Sequence, residues 1–576
     1  MASIQRRLIH GRPYYYLVES RRVNGKPRPV VLKYLGPADT LLERLEQGER
    51  KTFPSESEVI EFGAVAALWD LADRIGLRAT IDRHIPKRDQ GLTVGTYLTL
   101  AAINRCMATT SKAAFADWYR KTALARLLPV APSLLSGQRF WDAMSSVSSE
   151  AIRAIEAELS ARVVRDFNID LRCLCFDCTN FDTYIDSSSE ATLPQRGHAK
   201  SKRTDLRVVG LALLVTVDGE IPLFSRVYPG NQPDSVTFAS VTEELVRRYR
   251  LLAQEMEHVT LVFDKGNNSE ENMAALAPGS EQPEQAQRSY HLIGSLVPSQ
   301  HADLLAIPLS LFSPLQDPRL TGVQAHRTKK TVFGREWTVV VTRSETLLDG
   351  QLRGIEQVLA KRQRALAVLQ AKLAKSQEPG AKGKGYTRKS LERHATQLQR
   401  AQYIKDILVI EVHDEGGKLR LSYRTDREAL DRLRQTVLGK RILFTDNHDW
   451  STDDIVVGYR SQYHVEAAFR QMKDPAFVSF RPVRHWTDQK IEVHAFYCVL
   501  ALLLASLLRR EVARKGIQLT IDALLDQLHS IQEVINLYPA SGGRGGRPQA
   551  RRVLTRLTGP QEQLYRLLDL DRLRAS

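Results

Sequence analysis

The chain has 576 residues, with 82 Lys+Arg against 66 Asp+Glu, a net charge of +16 and a pI near 9.6. That charge points to a polyanionic partner, nucleic acid ahead of a membrane surface. The length excludes one simple core and predicts two to four domains, and five cysteines exclude a disulfide scaffold and indicate a reducing compartment.

Residues 1–50 read as a basic hairpin. In YYYLVESRRVNGKPRPVVLKYL (14–35) two β-rich runs flank Asn24-Gly25, a strong hairpin signal. Arg21, Arg22, Lys26, Arg28 and Lys33 cluster about the turn. The hairpin is either a DNA-binding arm or a small unit docked on the next domain. The N-terminus lacks an apolar segment of signal-peptide length. Residues 51–168 are helix-rich: EVIEFGAVAALWDLADRIGL, TVGTYLTLAAINRCM and SSEAIRAIEAELSARVVRDF show helical periodicity. An all-α, DNA-binding domain is the expectation.

At 169–298 the pattern changes to strands. LRCLCFDCTNFDTY, then LRVVGLALLVTVDGEIPLFSRVY with a turn at Asp218-Gly219, predict a meander. The helical SVTFASVTEELVRRYRLL follows, then the strand HVTLVFD, a helix start, and the strand SYHLIGSLVP. This is an α/β (mixed) sheet whose later strands have helical crossovers. Cys173, Cys175 and Cys178 read as structural cysteines rather than zinc ligands.

Residues 299–438 interrupt that pattern. A strand pair is expected near TKKTVFGREWTVVVT. Leu352, Ile355, Leu359, Leu366, Leu369 and Leu373 predict a long helix with a coiled-coil-like seam, serving dimer contact or DNA grip. A second helix returns through SLERHATQLQRAQYI. Residues 439–515 resume with the strand KRILFTDN and a helix over 451–473, and 516–576 form a helical basic tail. The apolar run 495–508 falls short of the ~20 residues of a membrane span and reads as a buried core helix. SGGRGGRPQARR (541–552) is either a linker or a nucleic-acid contact.

The helix over 451–473 opens with Ser451 as N-cap and Asp454 three residues on. Tyr459, Tyr463, Glu466, Arg470 and Lys473 follow at spacings of one helical face. The face is either solvated, with an i,i+4 pair such as Glu466–Arg470, or a metal ligand with phosphate-binding neighbours. Two strand-end carboxylates far upstream, Asp177 in CFDCTNF and Asp264 in LVFDKGNN, bear on that choice. Three convergent carboxylates suit hard cations, Mg²⁺ or Mn²⁺, and two such ions can clamp the attacking and leaving oxygens of a phosphodiester displacement. Asp182, Asp218 and Asp234 read as cap or turn residues.

The joint pattern resembles bacterial insertion-sequence transposases of the DDE class, which carry a Y-x2-R-x3-E-x6-K signature on an RNase H-like core. Tyr459, Glu466 and Lys473 match that spacing, and Gln462 stands where the signature has Arg. FDCTNF, VFDKGNNSEEN, DGEIPLFSRVYPGNQPDSVTF and FRPVRHW resemble further blocks of the family, over roughly 170–510. The resemblance implies an RNase H-like core split by a large, mostly β insertion. It implies that Asp177, Asp264 and Glu466 are catalytic metal ligands for two Mg²⁺ or Mn²⁺ ions, and that Tyr459 and Lys473 contact DNA. Arg460 and Arg470 lie off the register of the signature but near it. Lys200, Lys202 and Arg203 in GHAKSKR make either a backbone-contacting or a solvated loop. The implied partner is double-stranded DNA, both element ends and target, bound by a homodimer in the cytoplasm of a bacterium, at the nucleoid and without a membrane. A nuclease that cuts without joining, and an inactive DNA-binding regulator, are the competing readings.

Overall fold

The computed structural model describes residues 2–23, 26–42, 53–186, 188–233, 236–238, 240–241, 244, 259–264, 270–276, 290–380, 385–538 and 549–574. These fall into two compact units. The first comprises residues up to Gly63, Lys121–Ala123 and the chain from Leu528 onward; the second is Ala64–Arg120 with Leu124–Gln527. Asp234 and most of the helix expected over 235–252 lie outside the described residues.

The chain begins with three antiparallel strands, β1 (Ala2–Ile9), β2 (Arg12–Val23) and β3 (Lys26–Pro37), with β2 central. Asn24 and Gly25 lie outside the described residues, and Val23 pairs with Lys26 on either side of them. The first strand was not expected; IQRRLI carries too many cations to read as β-rich. A further strand, β4 (Glu56–Glu61), ends this part of the first unit.

The second unit opens with the helices α1 (Gly63–Arg74), α2 (Leu77–His84), α3 (Val94–Met107) and α4 (Ser149–Phe167). Every residue of α3 is buried. Its place is in the core rather than in a DNA groove, and it belongs to the same compact unit as the strands that follow.

Among the described residues, nine strands form one sheet. The meander is β5 (Cys173–Thr183), β6 (Arg207–Thr216) and β7 (Pro222–Pro229), and β8 (Val259–Phe263) and β9 (Tyr290–Leu296) then add in parallel beside β5. The helix α5 (Glu270–Leu276) lies in the β8–β9 connection. The strand pair expected within the insertion, β11 (Val323–Val332) and β12 (Arg335–Ser344), extends this same sheet, together with a short strand that was not expected, β10 (Ser313–Pro314). Trp337–Thr342 are buried without alternation, as in a strand covered on both faces.

The chain then leaves the sheet as α6 (Glu345–Ser376), α7 (Arg388–Gln399) and a hairpin of β13 (Leu408–Glu415) and β14 (Lys418–Thr425). This module has its own core, in which Ile355, Leu366, Leu369 and Leu373 pack with Leu391, Ile407 and Leu421. The apolar seam of the long helix is therefore consumed within the module and is not a seam for a second copy. The chain rejoins the sheet as β15 (Lys440–Thr445), antiparallel to both β9 and β12.

Two helices follow β15: α8 (Thr452–Arg460) and α9 (Tyr463–Lys473). The helix α10 (Asp488–Arg514) comes next, far longer than its apolar run implied. It is long and apolar enough to cross a membrane, with mean hydropathy 2.1 over its most apolar window. That window is 94% buried, so the helix serves as core. Arg510 on α10 is paired with Asp218 of the β6–β7 turn, which makes Asp218 more than a turn residue.

In the first unit, β16 (Gln532–Tyr538) and β17 (Gln549–Leu554) form a sheet with β4, in the order β17-β16-β4. The tail expected to be helical thus contains strands, because QEVINLY is rich in β-branched and large apolar residues. Residues 541–548 lie outside the described residues, and 549–552 are on β17.

Candidate functional site

The site is built where β5 and β8 run parallel. Phe176 pairs with Phe263, so Asp264, the first residue past β8, stands level with Asp177. Paired residues of parallel strands face the same way, which puts both carboxylates on one side of the sheet. Asp177 and Asp264 are each half-buried. β5 runs on to Thr183 past the end of β8, so Asp264 stands at a strand C-terminus, where α/β sheets place ligands, while Asp177 lies mid-strand.

The helical stretch over this face differs from the single helix expected at 451–473. Ser451 caps it as predicted, accepting from the Asp454 N–H at 3.1 Å. The helix breaks at Ser461–Gln462. The break has a local cause. The Ser461 hydroxyl bonds back to the Gly458 carbonyl, and its N–H is shared between the Val457 and Gly458 carbonyls. Ser461 also meets the strand: its oxygens lie 3.2–3.4 Å from the Cys173 and Cys175 sulfurs. The cysteines thus pack and bond structurally. Gln462, where the signature has Arg, is buried at this junction.

Helix α9 then follows β5. Ser461 holds its start at Cys175, and at its end Lys473 Nζ donates to Thr179 Oγ1 at 2.6 Å. Asp177 lies between those two anchors on the strand, and Glu466 between them on the helix. Glu466 and Lys473 are two helical turns apart and share a face. Glu466 is exposed, and among the described residues its carboxylate has no hydrogen bond or ion pair. The Glu466–Arg470 pair, the structural explanation for this face, is not formed.

Tyr459 is 5% exposed. Its hydroxyl donates toward Asp264 Oδ1 at 3.3 Å and accepts from the Ser295 hydroxyl at 3.0 Å. Burial, and then the Asp264 charge, push the phenol up to about 12. At neutral pH it remains a donor that orients Asp264, while Arg441 covers its ring at 5.4 Å. Lys473 is pulled down to about 8, first by burial and then by the charges of Lys200 and Arg481, with Asp177 opposing.

Of the three cations in the 197–203 loop, the structure brings Lys200 to the site. Its ammonium bonds the Cys178 carbonyl, and its N–H donates to Asn180 Oδ1 at 3.0 Å. Arg203 is taken up by Asp205, and Lys202 is exposed. Arg460 points elsewhere, donating to the Arg319 carbonyl at 3.1 Å. Arg470 is exposed, and among the described residues its side chain makes no ion pair.

Two contributors escaped the sequence reading. Asp182, expected to be a turn residue, is 4% exposed and holds both Ser201 (2.6 Å) and Arg481 (3.1 Å). It thereby ties the 197–203 loop and the segment after α9 to the end of β5. Arg481 lies in the FRPVRHW block, and its charge reaches Lys473. Sequence offered no local signal, since Asp182 stands in a polar strand end beside Asn180 and Thr183; its burial, which demands a cationic partner, comes from tertiary packing.

The donor set of Asp177, Asp264 and Glu466 is all carboxylate, which suits Mg²⁺ or Mn²⁺ rather than zinc. Among the described residues no three His, Cys, Asp or Glu side chains are gathered into a metal-holding cluster. No family model matches the chain, and no curated protein matches its sequence. Among solved structures, the cryo-EM structure of a piggyBac transposase synaptic complex with hairpin DNA aligns with 83% of this chain and 82% of its own chain, at 9% identity and a TM-score of 0.33, a likeness too distant to carry the fold or the chemistry.

Proposed function

We propose that the chain is a DNA transposase with an RNase H-like core, acting on double-stranded DNA as a homodimer that pairs two element ends. The observation that carries this reading is the level placement of Asp177 and Asp264 on one sheet face, beneath a helix that presents Glu466 and holds Lys473 beside Thr179. Glu466 supports it, because among the described residues its exposed carboxylate has no hydrogen bond or ion pair and so is available for a ligand.

Asp177, Asp264 and Glu466 would hold Mg²⁺ or Mn²⁺, which when bound supplies activation of water and stabilisation of the departing oxygen. Tyr459 orients Asp264 by its hydrogen bond. Lys473 and Lys200 hold non-bridging phosphate oxygens. Hydrolysis forms a bond from a water oxygen to phosphorus and breaks the P–O3′ bond, leaving a 3′-OH and a 5′-phosphate. That 3′-OH then attacks a target phosphodiester, forming a new P–O bond and releasing the target's own 3′-OH.

The test uses duplexes made from the DNA that flanks the gene, with Mg²⁺ or Mn²⁺. Asp264→Asn and Glu466→Gln should bind but lose cutting by at least 100-fold; variants that cut like the parent would overturn the assignment. The regulator reading draws on the ungathered carboxylates. Binding by the parent with no cutting under any of these conditions would favour it.

A further inference from the structure

The N-terminal sheet has a face that its own fold does not use. Strand pairing defines it. Leu17 stands between Ile4 and Lys33, Tyr15 pairs with Arg6, and Arg21 pairs with Arg28. Alternation then puts Arg6, Arg21, Arg28 and Lys33, with Lys26 at the turn end, on one face. The single acid there is Glu19, which is taken by Arg21 at 2.8 Å. Ile4 and Leu8 on this face are 58% and 63% exposed. The opposite face is used otherwise: Tyr14 and Tyr16 pack against Tyr34, Arg7 lies over Tyr16, and Val18 is 4% exposed.

Arg21 opposite Arg28 is a like-charge cross-strand pair, which destabilises a sheet. A polyanion laid on this face relieves that repulsion. The cations form two groups, Lys33 with Arg6 at one end and Arg21 with Arg28 at the other. The Lys33 and Arg28 rows are about 13 Å apart along β2, with Ala2, Glu19 and Val30 between them. A duplex major groove is about 12 Å wide and admits a β-ribbon.

We propose that this face docks on duplex DNA across a groove, with Arg6 and Lys33 on one phosphate backbone and Arg21 and Arg28 on the other. The inference rests on the reading of DNA as this chain's partner, and it names a binding surface apart from the carboxylate site. The full-length protein is titrated onto a fluorescent 30-base-pair duplex while anisotropy is followed at several salt concentrations. Arg28→Glu/Lys33→Glu should weaken binding at least tenfold and flatten the salt slope by about 2. Arg7→Glu/Arg12→Glu, an equal charge change on the opposite face, should change affinity less than threefold. Arg28→Lys/Lys33→Arg should restore it. Should the reversal fail to fold, as judged by its urea midpoint, Arg28→Gln/Lys33→Gln replaces it with the same expectation at smaller size. Equal losses from the two faces, an unchanged salt slope in Arg28→Glu/Lys33→Glu, or a single strand competing as well as the duplex would each overturn the proposal. Those results leave the catalytic reading standing if Glu466→Gln binds without cutting. A parent that binds no DNA overturns both.

Discussion

At the scale of single residues, Lys473 is a site group whose environment opposes its charge. Its folded pKa of about 8 lies below the ordinary 10.5. The unfolded chain therefore binds more protons between those values, so stability rises with pH across about 8 to 10.5, and the penalty is fully present below about 8. Lys473→Met should raise unfolding free energy at pH 7 by about 1 kcal/mol, after allowing for the lost bond to Thr179, while cutting falls. Urea unfolding and end cleavage read the two effects, and a variant that is destabilised and still cuts would contradict the role given to Lys473. Lys473→Arg should retain DNA affinity above pH 8 where the parent loses it. Tyr459→Phe removes two hydrogen bonds, so it should cost about 1–2 kcal/mol and slow cleavage by releasing Asp264. A pH-rate profile identical to the parent's in shape and height would exclude that orienting role. The strand-end expectation holds for Asp264, the residue after β8, and fails for Asp177, which lies mid-strand in β5 because that strand continues to Thr183. The level placement of the two aspartates was not legible in the sequence, because it depends on β5–β8 register, which no local residue specifies.

At the scale of elements, α9 is held at several points, among them Gln471, which donates to Asp522 at 2.6 Å. Besides Ser461 and Lys473, His464 Nδ1 lies 3.1 Å from Glu220, which also meets Arg509 at 3.2 Å. Glu220→Gln should cost roughly 2 kcal/mol, since it breaks a mostly buried charge network. It should also lower hydrogen-exchange protection in 463–473 before any other helix loosens. Uniform loss of protection over the whole unit would argue against a local anchor. The cap at Ser451 was readable because capping is local, involving Ser451 and Asp454 alone. The break at Ser461 was not, because its cause includes two sulfurs on a strand nearly three hundred residues earlier. Likewise the leucine spacing announced α6 correctly, yet what covers those leucines, β14 and α7, could not be read from the helix itself.

At the scale of the molecule, the meander and parallel strands of 171–298 were legible as apolar runs broken by turns, whereas the widening of the sheet by β10–β12 was not. The interruption is confined to one point on that sheet. Ser344 N–H bonds the Gly439 carbonyl at 2.9 Å, and Arg343 pairs with Lys440 across β12 and β15. Residues 345–438 leave and return through adjacent strand ends and carry their own core. Replacing them by a short Asn-Gly turn should give a chain that still unfolds cooperatively, with β12 and β15 joined as a hairpin. A midpoint lowered by more than about 3 kcal/mol of stability would show that the module supports the sheet. If the shortened protein keeps cutting but loses affinity, the basic helices of the module belong to DNA grip.

That junction has a further consequence. Neighbouring antiparallel strands stand about 5 Å apart, so the sheet meets the module through a socket one chain-pair wide. Nothing in the strand register depends on how much polypeptide hangs beyond it. A fluorescent domain whose termini lie side by side could be seated there as a reporter of assembly, leaving both ends of the chain untouched.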